Sequence, residues 1–121
     1  MDVDDVERVT YNALAGADST IVNNLTGTDV TEVNVNLAGT AGGTTGDAVA
    51  DVITINGTPA ADTFNMTASA GVISVSGLIP LVRISNSEVA LDDFIINGLG
   101  GIDVFNIGAG VTTLIGVTTN Q

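Results

Sequence analysis

The chain repeats itself, and that constrains its fold more than any other feature. Three segments align: Val9-Thr10-Tyr11-Asn12 running to Asp18, Ile53-Thr54-Ile55-Asn56 running to Asp62, and Phe94-Ile95-Ile96-Asn97 running to Asp103. Each Asn stands six residues before its Asp, and a small residue (Gly16, Ala60, Gly101) stands two before it. The offset is 44 residues from Asn12 to Asn56 and 41 from Asn56 to Asn97. The upstream flanks Asp47-Ala48-Val49-Ala50-Asp51 and Glu88-Val89-Ala90-Leu91-Asp92 match at the same offset of 41. A fixed offset suits a stack of layers, because each layer then meets nearly the same neighbours.

The layers read as β-structure. The middle copy holds four runs of period-2 alternation: Val52–Asn56, Phe64–Thr67, Val72–Ser76 and Leu81–Ser85. Alternation points Ile53, Ile55, Phe64, Met66, Ile73, Val75, Val82 and Ile84 inward, and Thr54, Asn65, Ser74 and Arg83 outward. Sixteen Val and eleven Ile supply β-branched core material, which suits strands and is poor in helices. The expected fold is all-β, a parallel β-solenoid built from repeats of 41–44 residues, with a β-sandwich as the alternative. One domain covers residues 1–121, with repeat 1 over 3–46, repeat 2 over 47–87 and a partial repeat 3 over 88–121. Ala38–Ala50, rich in Gly and Thr, reads as a loop. Asn56-Gly57 and Asn97-Gly98 are turn signals that stacking would also turn into an Asn ladder. The abrupt acidic opening, Met1-Asp2-Val3-Asp4-Asp5, reads as a segment cut from something longer.

Composition narrows the chemistry. Two basic residues against fourteen acidic ones leave a formal charge of −12. A nucleic acid or an anionic membrane would be repelled, and no counterions would be released on contact. The chain has no His and no Cys, which removes imidazole and thiol catalysis, structural zinc and disulfides. No apolar run is long enough for membrane insertion. Adjacent acids at Asp4-Asp5 and Asp92-Asp93 point to opposite faces of an extended chain, so they converge poorly for acid–base work and read as solvated corners. The expectation is no enzyme. A β-helical polysaccharide lyase or hydrolase would need basic contacts, and only Arg8 and Arg83 are available.

Asn97-Gly98-Leu99-Gly100-Gly101-Ile102-Asp103-Val104-Phe105 resembles a degenerate copy of the glycine-rich nonapeptide of RTX-type bacterial proteins, the haemolysin-like and adhesin-like repeats of large secreted chains. The middle copy keeps Gly57, Asp62 and Phe64, and the first keeps Gly16 and Asp18. The resemblance implies a β-roll or β-helix, an extracellular or cell-surface location, and calcium held between turns, with Asp18, Asp62 and Asp103 as half-sites. Calcium takes about 6–8 oxygens, and single copies more than 40 residues apart offer few. Capping of turns by each Asp is the competing role.

The leading functional expectation is a non-enzymatic structural module, a filament, matrix or adhesin repeat joined by β-sheet continuation between copies of itself. Open sheet ends and an open apolar core invite another copy. The candidate self-association residues are the outward aliphatics Ile21, Val72, Ile95 and Val104, with Leu114 and Ile115 of the uncharged C-terminal run. A calcium-binding folding module is the second expectation. An ice-binding solenoid is the third, although regular outward Thr ladders are missing.

Overall fold

The computed structural model describes residues 5–121, so Asp4 of the Asp4-Asp5 pair lies outside the described residues. The fold is all-β and consists of two sheets. The strands are β1 (Arg8–Asn12), β2 (Ser19–Val22), β3 (Glu32–Asn36), β4 (Val52–Asn56), β5 (Thr63–Ser69), β6 (Val72–Ser76), β7 (Leu81–Ser85), β8 (Asp93–Asn97), β9 (Val104–Ile107) and β10 (Gly116–Asn120). One 3-10 turn, Val111–Thr113, stands between the last two strands. The larger sheet has six strands in the order β1-β3-β7-β6-β5-β9, and the smaller has four in the order β10-β8-β4-β2. Ala38–Ala50 contains no strand, as its composition predicts.

Alternation explains which faces meet. Ile53, Ile55, Phe64, Met66, Ile73, Val75, Val82 and Ile84 are all buried, as their positions predict. They join Val33, Val35, Phe94 and Ile96 in one core drawn from both sheets. The rings of Phe64 and Phe105 stack with centroids 5.3 Å apart, so the aromatic residues of two copies continue one column.

In the smaller sheet every pairing is parallel, Ile53 lying beside Thr20 and Phe94, and Phe94 beside Val117. In the larger sheet β6 runs against both β5 and β7. Ala70 and Gly71, both at positive φ, make the two-residue turn that sends β6 back along β5. The parallel expectation therefore fails for β6. Alternation has the same period in either strand direction, and only the turn decides.

The first of the three aligned copies is also displaced. Asn56 and Asn97 are partners, at the offset of 41. Asn12 instead pairs with Asn36, in the other sheet. The side chain stacked beneath Asn56 is Asn23, 33 residues upstream. Strands of both sheets end in Asn, so the Asn signature marks a strand end without saying which sheet the strand joins.

Large-to-small change in a shared core leaves a cavity that collapses only in part. Phe94→Ala is expected to lower the unfolding free energy in urea by about 3–5 kcal/mol. Thr67→Ala, on the outer face of β5, should stay within about 0.5 kcal/mol.

Candidate functional site

At the corners, polar side chains of one layer hold the backbone of the next. Two columns of carboxylates do this. In the first, the Asp18 N–H donates to Asp51 Oδ1 at 2.8 Å and the Asp51 N–H to Asp92 Oδ1 at 3.0 Å. In the second, the Asp62 N–H donates to Asp103 Oδ1 at 2.9 Å, and the Asp103 N–H to Gln121 Oε1 at 3.0 Å. Two further rungs stand above the first column, from the Gly16 N–H to Asp47 and from the Ala48 N–H to Glu88. Strand-end asparagines form a ladder through Asn23, Asn56, Asn97 and Asn120, each amide donating to the Asn of the preceding layer at 2.9 Å.

The structure thus separates the three predicted calcium half-sites. Asp62 and Asp103 occupy equivalent positions, whereas Asp18 belongs to the other column, with Asp51 and Asp92. Asp62 Oδ2 accepts from the N–H and hydroxyl of Thr58. Leu99 stands where Thr58 stands one copy earlier and offers no hydroxyl; Asp103 Oδ2 is buried without a partner, as is Asp18 Oδ2. The structure leaves one carboxylate oxygen without a partner at each of two separate corners, where calcium takes about 6–8 oxygens. Among the described residues no three His, Cys, Asp or Glu side chains gather as metal ligands. The glycine before each of these turns has a steric reason: a Cβ at Gly98 would collide with the Asp103 carboxylate, and one at Gly57 with that of Asp62.

Asp51 and Asp92 are the ladder members that sequence reasoning missed. Asp92 is buried and not a solvated corner, accepting from the Asp51 and Glu88 N–H groups with its two oxygens. The match of the two flanks at 41 residues was the signal for it. Burial pushes the Asp51 carboxyl above the ordinary range; the Asp18 N–H opposes this, and the charges of Asp92, Asp47 and Asp18 add to it. Both arginines engage Glu32, Arg8 at 3.1 Å and Arg83 at 3.0 Å. Desolvation works to raise the Glu32 carboxyl, but hydrogen bonds from Arg8 and Asn34 and the two guanidinium charges hold it below the usual range. The other acidic residues have no basic side chain left to pair with.

The six predicted self-association residues divide. Ile21 is 61% exposed and Val104 46%, while Val72 and Ile95 are half-buried. Leu114 is half-buried against the core, and Ile115 is fully buried within it. Those two serve this chain's own packing, which the uncharged C-terminal run did not reveal.

The outermost described strands keep part of their inward apolar surface exposed. A groove of about 320 Å³ at one end is lined by Val9, Tyr11, Ile21, Val22, Leu25 and Val33. At the other end a groove of about 440 Å³ runs beside Met66, Phe105 and Ile107, and Ile107 is 45% exposed although it faces inward. Comparisons with protein-family models, with curated proteins and with solved structures find no match to the chain.

Two predictions follow from the corner ladders. Because the folded pKa of Asp51 is raised, its contribution to stability is full below its unfolded pKa and lost as pH rises through the folded value. Asp51→Asn keeps an oxygen for the Asp18 N–H and removes the charge. It should raise the melting temperature at pH 7 and shrink the stability gained between pH 7 and pH 4. Millimolar calcium should raise the melting temperature no more than magnesium does. A calcium-specific rise that Asp103→Asn abolishes would establish a metal role.

Proposed function

We propose that this chain is a non-enzymatic structural module, a stretch of β-solenoid from a bacterial surface or secreted protein, and that it joins copies of itself by continuing a β-sheet. The observation that carries the reading is the half-covered apolar surface on the outermost described strands. Inward apolar side chains at Val9 and Tyr11 on β1, and at Phe105 and Ile107 on β9, lie half covered, while their counterparts on the central strands are buried. Asn23 and Leu25, after β2, line one groove, and Gly108, after β9, lines the other. Covering such surface is favourable by about 25 cal/mol per Å², and an unpaired strand edge is a template for another strand.

Repulsion among like charges opposes the contact. With a formal charge of −12 on each copy, association is weakest at low salt. A contact between unlike ends that does not close into a ring propagates as a fibre. The parallel register at the 41-residue offset supports the solenoid reading, and the RTX-like turn at Asn97–Phe105 supports the surface setting.

The test is sedimentation velocity with negative-stain imaging across protein concentration and salt. Oligomers that lengthen as salt rises are expected. A compact monomer at every concentration and ionic strength would overturn the proposal.

A further inference from the structure

Two demands of the corner turns meet at one place and write a chemically fragile pair into the chain. The ladder takes an Asn at the end of β4 and of β8. The turn that follows takes glycine, because a Cβ there would strike the carboxylate of Asp62 or of Asp103. The results are Asn56-Gly57 and Asn97-Gly98, the two Asn-Gly pairs of the chain. An Asn-Gly pair can close on itself. The glycine nitrogen attacks the Asn Cγ and gives up its proton, a C–N bond forms, and the side-chain nitrogen leaves as ammonia. Water then opens the five-membered succinimide to aspartate or isoaspartate, so one water is taken up and one ammonia released. Glycine favours the closure, since no Cβ shields its nitrogen.

We propose that Asn56 and Asn97 are sites of spontaneous succinimide formation, guarded by the stacking of layers, and that conversion of Asn97 releases Asn56. The groups that react are held by neighbouring layers. The Gly57 N–H donates to the Asn97 carbonyl at 2.8 Å and the Gly98 N–H to the Asn120 carbonyl at 2.7 Å, which ties down both attacking nitrogens and their protons. The leaving amides are tied as well: Asn56 Nδ2 donates to Asn23 Oδ1 and Asn97 Nδ2 to Asn56 Oδ1, each at 2.9 Å. Both asparagines end strands, β4 and β8, in extended backbone. There the glycine nitrogen is rotated away from the Asn Cβ, and ring closure has to turn that peptide out of the strand conformation. Reaction therefore waits for the layer to open.

The ladder has a direction, which makes the two sites unequal. Donation runs in the order Asn120, Asn97, Asn56, Asn23. A carboxylate at position 97 still accepts from Asn120 but has no proton to give Asn56. Two oxygens then face each other, and their repulsion pushes the Asn56 amide out of the stack. A carboxylate at position 56 still accepts from Asn97 Nδ2, and the rung it loses lies on the other side, toward Asn23. Conversion at Asn97 thus loosens Asn56, whereas conversion at Asn56 leaves Asn97 held. Isoaspartate disrupts further, since it routes the main chain through the side-chain carbon and lengthens the strand end by one atom. Each event also adds a negative charge to a chain that carries −12.

The test is peptide mapping of the folded protein held at mildly alkaline pH, with the chain in concentrated urea as the reference. Trypsin cuts after Arg8 and Arg83, so Asn56 and Asn97 fall on separate peptides, and fragmentation spectra assign the converted residue. Folded protein is expected to convert both sites at least about tenfold more slowly than unfolded chain. Asn97→Asp, which installs the product, is expected to speed conversion of Asn56 about fivefold, the factor an ordinary hydrogen bond supplies. Asn56→Asp should leave the rate at Asn97 unchanged, which separates the ladder's direction from a general loss of stability. If Asn97→Asp does not fold, Asn120→Ala reads the same coupling one layer on, speeding Asn97 and not Asn56. Equal rates in folded and unfolded chain would overturn the guarding. Equal acceleration by the two Asp variants, or no acceleration by either Asn97→Asp or Asn120→Ala, would overturn the coupling.

Discussion

The rest of the structure depends on one interaction, the hydrogen bond from a backbone N–H at a corner to a carboxylate or amide one layer on. Strand amides are satisfied by their neighbours in a sheet, but corner amides have no such partner. A buried N–H without a partner costs about 1–3 kcal/mol. Asp51, Asp92, Asp103 and Gln121 each remove one such cost. Because the acceptor belongs to the neighbouring layer, each bond also fixes the spacing and register of the two layers. Core packing alone is less selective, since Val, Ile and Leu tolerate a shift of register by two residues far better than a carboxylate tolerates losing its N–H.

This reliance on carboxylates explains the unusual charge. The corners need acceptors, and Asp provides two oxygens that reach backbone groups in adjacent layers or within its own turn. Asp92 binds one N–H of each kind. The result is a column in which Asp18, Asp51 and Asp92 stack at strand spacing, and like charges at that spacing repel. Asp51, in the middle, carries the consequence as a raised pKa. The arginines do not relieve it, since both are bound to Glu32 on the outer face of the larger sheet. Stability and repulsion therefore come from the same residues.

Much of the core was legible in the sequence. Period-2 alternation from Val52 to Ser85 identifies the four strands of the middle copy and eight of its inward residues, missing Ala68 at the far end of β5, because a half-buried strand leaves little freedom about which residues face the core. Less legible were the features that alternation does not encode. The reversal at Ala70-Gly71 makes β6 antiparallel, and the strand pattern is blind to direction. The Asn12 copy was misplaced because strands of both sheets end in the same residue type. The ladder role of Asp51 and Asp92 was hidden because an acidic residue at a corner ordinarily faces water. The burial of Ile115 comes from a core shared with strands far apart in sequence, which the C-terminal run does not encode.

The central claim is that corner side chains, acting between layers, hold the stack in register. Amide hydrogen exchange followed residue by residue by NMR tests it most directly. The account predicts that the Asp18, Asp51, Asp62 and Asp103 amides exchange as slowly as the core strand amides of Ile53 and Phe94, through the same cooperative opening. Exchange of those four corner amides at the rate of exposed turns, with the strand amides still protected, would contradict it.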